Sequence, residues 1–311
     1  MPLAVYEDAL AFLERSGVTE ARILGGEPTE HPDFAHFVTL ALARGFKVTL
    51  FTGGPAAVAG EAGEAAKAAA AAAEFLSEIP PSDVTVILNT AIPGRDSPGL
   101  IRGQRRLCRL LGERVELGLT LSSLAHGPDF LLDLIEREGL SRWVRLGVAH
   151  PIWGGGNTSL RLGSVRMLGK TVEAFIDRVQ KAGVTVDFDC GFTPCMFSEG
   201  FLTDHPALLQ EIGTRCNPVL DILPEGRVIA CYALGAAGSV RLTESSHRDG
   251  LLAVFEQGLD RLLPMGAYRE CALCDHRRVG RCTGGCRARR AGRLRPVGMH
   301  PLEDERGNAL P

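Results

Sequence analysis

With 311 residues and 45% hydrophobic side chains, the chain is long enough for one large α/β domain and a smaller appendage. A net charge of −3 excludes a generalised nucleic-acid or membrane surface, and no apolar run has the length of a membrane-spanning helix. The opening MPLAVYEDALAFLERSG reads as an acidic amphipathic helix and not as a signal peptide, so a cytoplasmic protein is expected.

The first part alternates short apolar strands with helices, the signature of a parallel α/β sheet or barrel. A helix is expected over Tyr6–Ser16 with Leu10, Phe12 and Leu13 apolar, then a strand Arg22–Leu24 ending in Gly25-Gly26-Glu27-Pro28. Helix Asp33–Arg44, strand Lys47–Phe51 and the turn Gly53-Gly54-Pro55 follow. Helix Ala56–Ile79 carries the run Ala68–Ala73, read as a solvated or lightly packed face. Strand Val84–Asn89, helix Leu100–Leu111, strand Val115–Leu121, helix Asp129–Glu138 and strand Trp143–Ala149 continue the alternation. A glycine-rich loop, Trp153–Asn157, leads to helix Thr171–Ala182 and strand Val184–Asp189. The pattern changes there, which places a boundary near Gly183: residues 1–183 form the α/β unit and residues 184–311 a cysteine-rich extension. In the extension Val219–Ile222 and Arg227–Ala230 flank Leu223-Pro224-Glu225-Gly226 as a hairpin, and Gly250–Leu263 is a helix.

Nine cysteines are present. Cys271, Cys274, Cys282 and Cys286 form a C-x2-C-x7-C-x3-C run, and Cys190, Cys195, Cys216 and Cys231 precede it. Thiols at that spacing converge on a small volume, which points to zinc or an iron–sulfur cluster, and eight suffice for two four-thiolate sites. A disulfide framework fits a large globular chain without a secretory signal less well. Cys108 falls among Leu107 and Leu111 on an apolar helix face and reads as a core cysteine.

The strand followed by Gly25-Gly26-Glu27-Pro28 resembles the GGE-P motif of radical S-adenosylmethionine (SAM) enzymes. The order Cys216, nine residues, Gly226, four residues, Cys231, then the C-x2-C and C-x3-C pairs resembles the SPASM extension of that superfamily. The resemblance implies a partial parallel (β/α)6-type barrel with a small cysteine-rich α+β extension holding one or two auxiliary [4Fe–4S] clusters. It also implies SAM as a cofactor, modification of a peptide or protein side chain by hydrogen-atom abstraction, and a reductant such as a flavodoxin or ferredoxin. Iron is preferred to zinc on this ground alone. The family's C-x3-C-x2-C loop has no counterpart, and the first strand is expected to be missing with it, through a start assigned too late or a true truncation. The alternative is a catalytically silent iron–sulfur or zinc protein that binds peptides or transfers electrons. By analogy Cys216, Cys231 and Cys286 share one cluster and Cys271, Cys274 and Cys282 the other, with Cys190 and Cys195 supplying the missing ligands.

Barrel chemistry gathers at the C-terminal ends of strands. Gly25 and Gly26 let a ligand approach the backbone, and Glu27 accepts hydrogen bonds from a ligand ammonium, which by resemblance is that of SAM; a tight turn with a solvated glutamate is the other reading. Thr52 and Asn89 end the next two strands and are placed to bind a ribose or carboxylate or to cap a turn. His150 lies at the same face, and Asp187 or Asp189 is placed as a general base or a turn residue. Arg277, Arg278, Arg281, Arg287, Arg289 and Arg290 surround the last thiols, as counter-charges, as a seat for an acidic peptide, or as a solvated basic surface.

Overall fold

The computed structural model describes residues 1–54, 64–153, 159–160, 162–208, 212, 216, 219–262 and 264–292. After α1 (Leu3–Arg15) come β1 (Glu20–Ile23), α2 (Phe34–Ala43), β2 (Lys47–Thr52), α3 (Glu64–Glu78) and β3 (Val84–Asn89). The alternation continues with α4 (Pro98–Leu111), β4 (Val115–Leu121), α5 (Phe130–Glu138), β5 (Trp143–Val148), α6 (Leu162–Lys181) and β6 (Thr185–Phe188). The six strands pair in parallel and in chain order, as expected of a partial (β/α) barrel. Strand β6 follows Gly183 and pairs with β5.

One face of every strand is apolar: Val48, Leu50, Val84, Val86, Leu88, Val115, Leu117, Val144 and Leu146 are all buried under the helices. The alternate positions point the other way and are largely polar, because successive strand side chains face opposite sides. In a flat sheet β2 and β5 would lie about 14 Å apart. The Arg145 guanidinium on β5 stands 5.2 Å from the Phe51 ring centre on β2, a gap that closes because the sheet curls around its polar face.

Helix α6 begins nine residues earlier than the sequence predicts. Val165, Leu168 and Val172 continue its buried stripe, and Gly169, which weakens a helix on propensity alone, sits in the middle of it. A Cβ at Gly169 would lie 1.9 Å from the Met196 carbonyl oxygen, so the glycine is kept by close packing. Of the expected helix 56–79, residues 56–63 lie outside the described residues, as do Pro55 and residues 154–157 of the glycine-rich loop. The alanine run is not wholly solvated: Ala72 and Ala73 are buried in the main core.

The extension contains α7 (Glu199–Asp204), an antiparallel sheet of β7 (Asp221–Ile222), β8 (Arg227–Ile229) and β9 (Val240–Arg241), and α8 (Arg248–Leu259). Two short helices close it, α9 (Asp275–Arg278) and α10 (Arg287–Ala291). Its own core gathers Val228, Phe255, Leu259, Leu262 and Ala288 around Phe12 of α1, while Tyr6 and Leu10 of the same helix enter the barrel core. No helix among the described residues is long and apolar enough to cross a membrane.

Candidate functional site

At the C-terminal end of β1 the chain turns through Gly25 and Gly26, whose φ angles of 93° and 56° lie in the region that glycine adopts freely. Glu27 then caps a 3-10 turn at Pro28–Glu30. Its Oε1 accepts from the Thr29 amide (3.2 Å), the Thr29 hydroxyl (2.5 Å) and the Thr52 hydroxyl (2.7 Å), and its Oε2 accepts from the Gly53 amide at 2.9 Å. The structure thus brings Gly25, Gly26, Glu27, Pro28 and Thr52 together, with the Glu27 carboxylate serving as a clamp between the ends of β1 and β2. A carboxylate has about four lone-pair sites, with two on each oxygen, so among the described residues Oε2 keeps one direction for a further donor. Thr52 is buried, and its oxygen also accepts from the Gly54 amide at 3.0 Å, so it belongs to the clamp.

Asn89 is exposed at the end of β3. Its neighbour in function was not legible from the sequence: Gln104 on α4, 4% exposed, donates to the Gly53 carbonyl at 2.6 Å and the Asn89 carbonyl at 2.9 Å, and accepts from the Ala91 amide at 2.8 Å. One amide side chain therefore ties the loops after β2 and β3. A glutamine on an otherwise buried helix face was the signal.

Further down, the polar face holds Glu20, Thr49, Glu116, Arg145 and Asp187. Thr49 donates to Glu20, and Arg22 pairs with it at 3.1 Å. Burial pushes Glu20 up, but the hydrogen bonds from Arg22 and Thr49 outweigh it and hold the carboxyl below its ordinary value. Glu116 is raised, first by burial and then by Asp187, against the pull of Arg145. Arg145 pairs with Asp189 at 3.1 Å, and Asp189 also accepts from the Cys190 amide at 2.7 Å. The polar residues recurring at alternate positions of β1, β2, β4 and β5 carried this information, which a reading of the strands as apolar runs passed over.

His150 follows β5 and packs against Gly191, where an added Cβ would lie 2.6 Å from its Cε1. Burial lowers its pKa to about 4; Arg289 adds to the effect, while the Cys190 carbonyl and Asp189 oppose it.

The thiols fall into two neighbourhoods. Cys195, on the 3-10 turn Pro194–Met196, lines one pocket with Cys271, Cys274 and Cys282, together with Thr193, Tyr268 and Gly284–Gly285. The free volume left among these side chains is small, about 10 Å3. Thr193 and Cys195 approach to 3.2 Å, and the Gly284 amide donates to the Cys282 sulfur at 3.3 Å. Cys190 keeps an exposed edge, yet the protein packed round its sulfur raises the thiol to about 12, and Asp189, Cys286, Cys231 and Cys216 add to that. Cys286 is raised to about 11 by burial and then by Cys216, with Cys231 a smaller contributor. Cys195 is raised as well, first by burial and further by Cys271, Cys282 and Cys274, against the hydrogen bond from Thr193, and a bound cation or cluster would reverse that cost. Among the described residues no three His, Cys, Asp or Glu side chains converge closely enough to hold a single metal ion. Cys108 is fully buried, and burial raises it to about 12.

Three of the six arginines are not a solvated surface. Arg287, Arg289 and Arg290 are buried on α10. Arg289 donates to the carbonyls of Leu160 (2.6 Å) and Ala149 (2.7 Å), and Arg290 to those of Thr283 (2.5 Å) and Gly285 (2.8 Å). Loops without ladders leave carbonyls that need donors, and these guanidinium groups supply them. Arg277 donates to the Pro264 carbonyl at 2.7 Å, and Arg278 pairs with Asp275 at 2.9 Å.

No protein-family model matches the chain, and no curated protein matches it in sequence. Solved structures do match. SuiB of Streptococcus suis bound to S-adenosylmethionine superposes with a TM-score of 0.59 at 17% identity, over 90% of this chain and 65% of that one. SuiB bound to the precursor peptide SuiA gives 0.58 at 16% identity, over 90% and 64%. Native anSMEcpe with bound AdoMet gives 0.61 at 16% identity, over 93% and 80%. What is shared is the fold. The chain spans about 65% of the length of SuiB.

Proposed function

We propose that this chain is an iron–sulfur protein on a radical SAM-type scaffold, acting as a peptide-binding or electron-transfer partner. In this reading residues 1–183 with the returning strand β6 are the scaffold, and the remainder of 184–311 carries the clusters. The observation that carries it is the pocket on which four of the eight thiols open, Cys195, Cys271, Cys274 and Cys282. The remaining four, Cys190, Cys216, Cys231 and Cys286, form the second set. Thiolates around one zinc ion lie about 2.3 Å from it and crowd one another. Those around a four-iron cube stand farther apart, because the cube's own atoms lie between them. When bound, such clusters supply one-electron redox chemistry.

A second reading, SAM-dependent modification of a peptide or protein side chain, is favoured by the likeness to SuiB in its SAM-bound and precursor-bound states. The free direction on Glu27 Oε2 would receive the ammonium of SAM, and the polar face of the sheet would hold the substrate. Residues 1–311 contain no C-x3-C-x2-C motif, so reductive cleavage of SAM is not expected of these residues alone.

Anaerobic reconstitution with iron and sulfide tests both. The expected product is brown, with about eight iron atoms per chain, four for each [4Fe–4S] cluster. Cys271→Ala or Cys274→Ala removes about half of that iron, and Cys108→Ala removes none. A colourless protein with stoichiometric zinc would sink the cluster assignment. Formation of 5′-deoxyadenosine from SAM and dithionite by these residues would move the conclusion to the second reading.

A further inference from the structure

A cavity of about 190 Å3 opens between α4, α5 and the loop that follows β3, and no thiol lines it. Its apolar wall is built from Ile101, Phe130 and Leu134. Two cations face it, Arg105 from α4 and Arg137 from α5, and neither has a hydrogen-bond or ion-pair partner among the described residues. Asp133 is the single acid of the lining, which leaves a balance of one positive charge there in a chain whose net charge is −3. Arg102 and Arg106 on the same helix are exposed and add to its positive charge.

An apolar cavity of about 150 Å3 holds a benzene ring. The present one is larger by about the size of a carboxylate group, and arginine forks match carboxylates in geometry as well as charge. We propose that this cavity binds a small organic carboxylate with a benzene-sized body, its anionic group taken by Arg105 and Arg137 and its body packed on Ile101, Phe130 and Leu134. The site is independent of the metal reading. Its occupant touches Gln104, whose side chain holds Gly53, Asn89 and Ala91, so binding stiffens the loops beside the Glu27 clamp.

Benzoate is the probe. Titration calorimetry on the full chain at low ionic strength is expected to show saturable one-to-one binding, weakened at least tenfold in the Arg105→Gln/Arg137→Gln double variant. Benzyl alcohol, which has the body without the charge, and inorganic phosphate, which has the charge without the body, are each expected to bind at least tenfold more weakly. Absence of saturable benzoate binding, or benzoate binding unchanged in the double variant, overturns the site. Phosphate binding as tight as benzoate also overturns it, leaving a bare cationic surface. Slower hydrogen exchange of the Ala91 amide in benzoate supports the link through Gln104, and unchanged exchange with benzoate bound overturns that link.

Discussion

At the scale of single residues, Gln104 carries more of the candidate site than its exposure suggests. Its three hydrogen bonds join two loops that no ladder joins. Truncation to Ala leaves the buried Ala91 amide without its partner and removes the donor to the half-buried carbonyls of Gly53 and Asn89, at a cost of about 1–3 kcal/mol. Urea unfolding of Gln104→Ala should show that loss, and amide exchange should quicken at Ala91 before it does in the strands. His150 offers a pH test. Its folded-state pKa of about 4 lies below the ordinary 6.5, so unfolded chains bind the proton more readily. Stability from keeping this ring neutral is therefore present above pH 6.5 and is lost as pH falls toward 4, up to roughly 3 kcal/mol. In the metal-free protein, the wild type should lose more stability between pH 7 and pH 4.5 than His150→Gln does. Equal losses would show that the ring is solvated.

Among elements, the decisive contact is α6 against the 3-10 turn that carries Cys195. Gly169→Ala places a methyl group where the Met196 carbonyl lies, and neither helix backbone nor turn can yield as a flexible side chain would. The expected result is a loss of 2 kcal/mol or more, with Cys195 displaced from its pocket and iron binding weakened there while the Cys190 set is unaffected. Iron content and unfolding of this variant, beside Gly163→Ala on the same helix as a control with open space, check it. The same glycine explains what the sequence did and did not disclose. Strands β3 and β4 were legible to the residue, because Val84–Asn89 and Val115–Leu121 are apolar runs bounded by turn-forming residues. The first nine residues of α6 were not, since a glycine kept for packing reads locally as a loop. Glu116 and Arg145 were passed over for a related reason: their meaning lies in the curl of the sheet, which brings β2 within reach of β5. Which of Cys190 and Cys195 joins which set depends on where β6 ends and how the next turn docks on α6, and spacing alone does not encode that.

For the whole molecule, two hydrophobic cores divide the work, and α1 belongs to both. The larger core holds the sheet and its helices, while the smaller one is built from Phe12, β8, α8 and α10. The smaller core lies among short 3-10 turns and two- or three-residue strands, with the carbonyls of Thr283 and Gly285 held by Arg290 in place of a ladder. Such a unit has little burial to offset its ordering entropy, so on the iron–sulfur reading the clusters contribute a large share of its folding free energy. The barrel core needs no such help, since its strands bury apolar residues continuously beneath the helices. Chelation of the reconstituted protein should therefore separate the two. Under limited thermolysin digestion the chelated protein is expected to lose residues beyond about Ile212, the last member of the larger core, while the sheet from β1 to β6 stays protected, whereas the cluster-loaded protein resists along its whole described length. Equal resistance with and without metal would show that the extension folds on its smaller core alone, and that the thiols are not what holds it together.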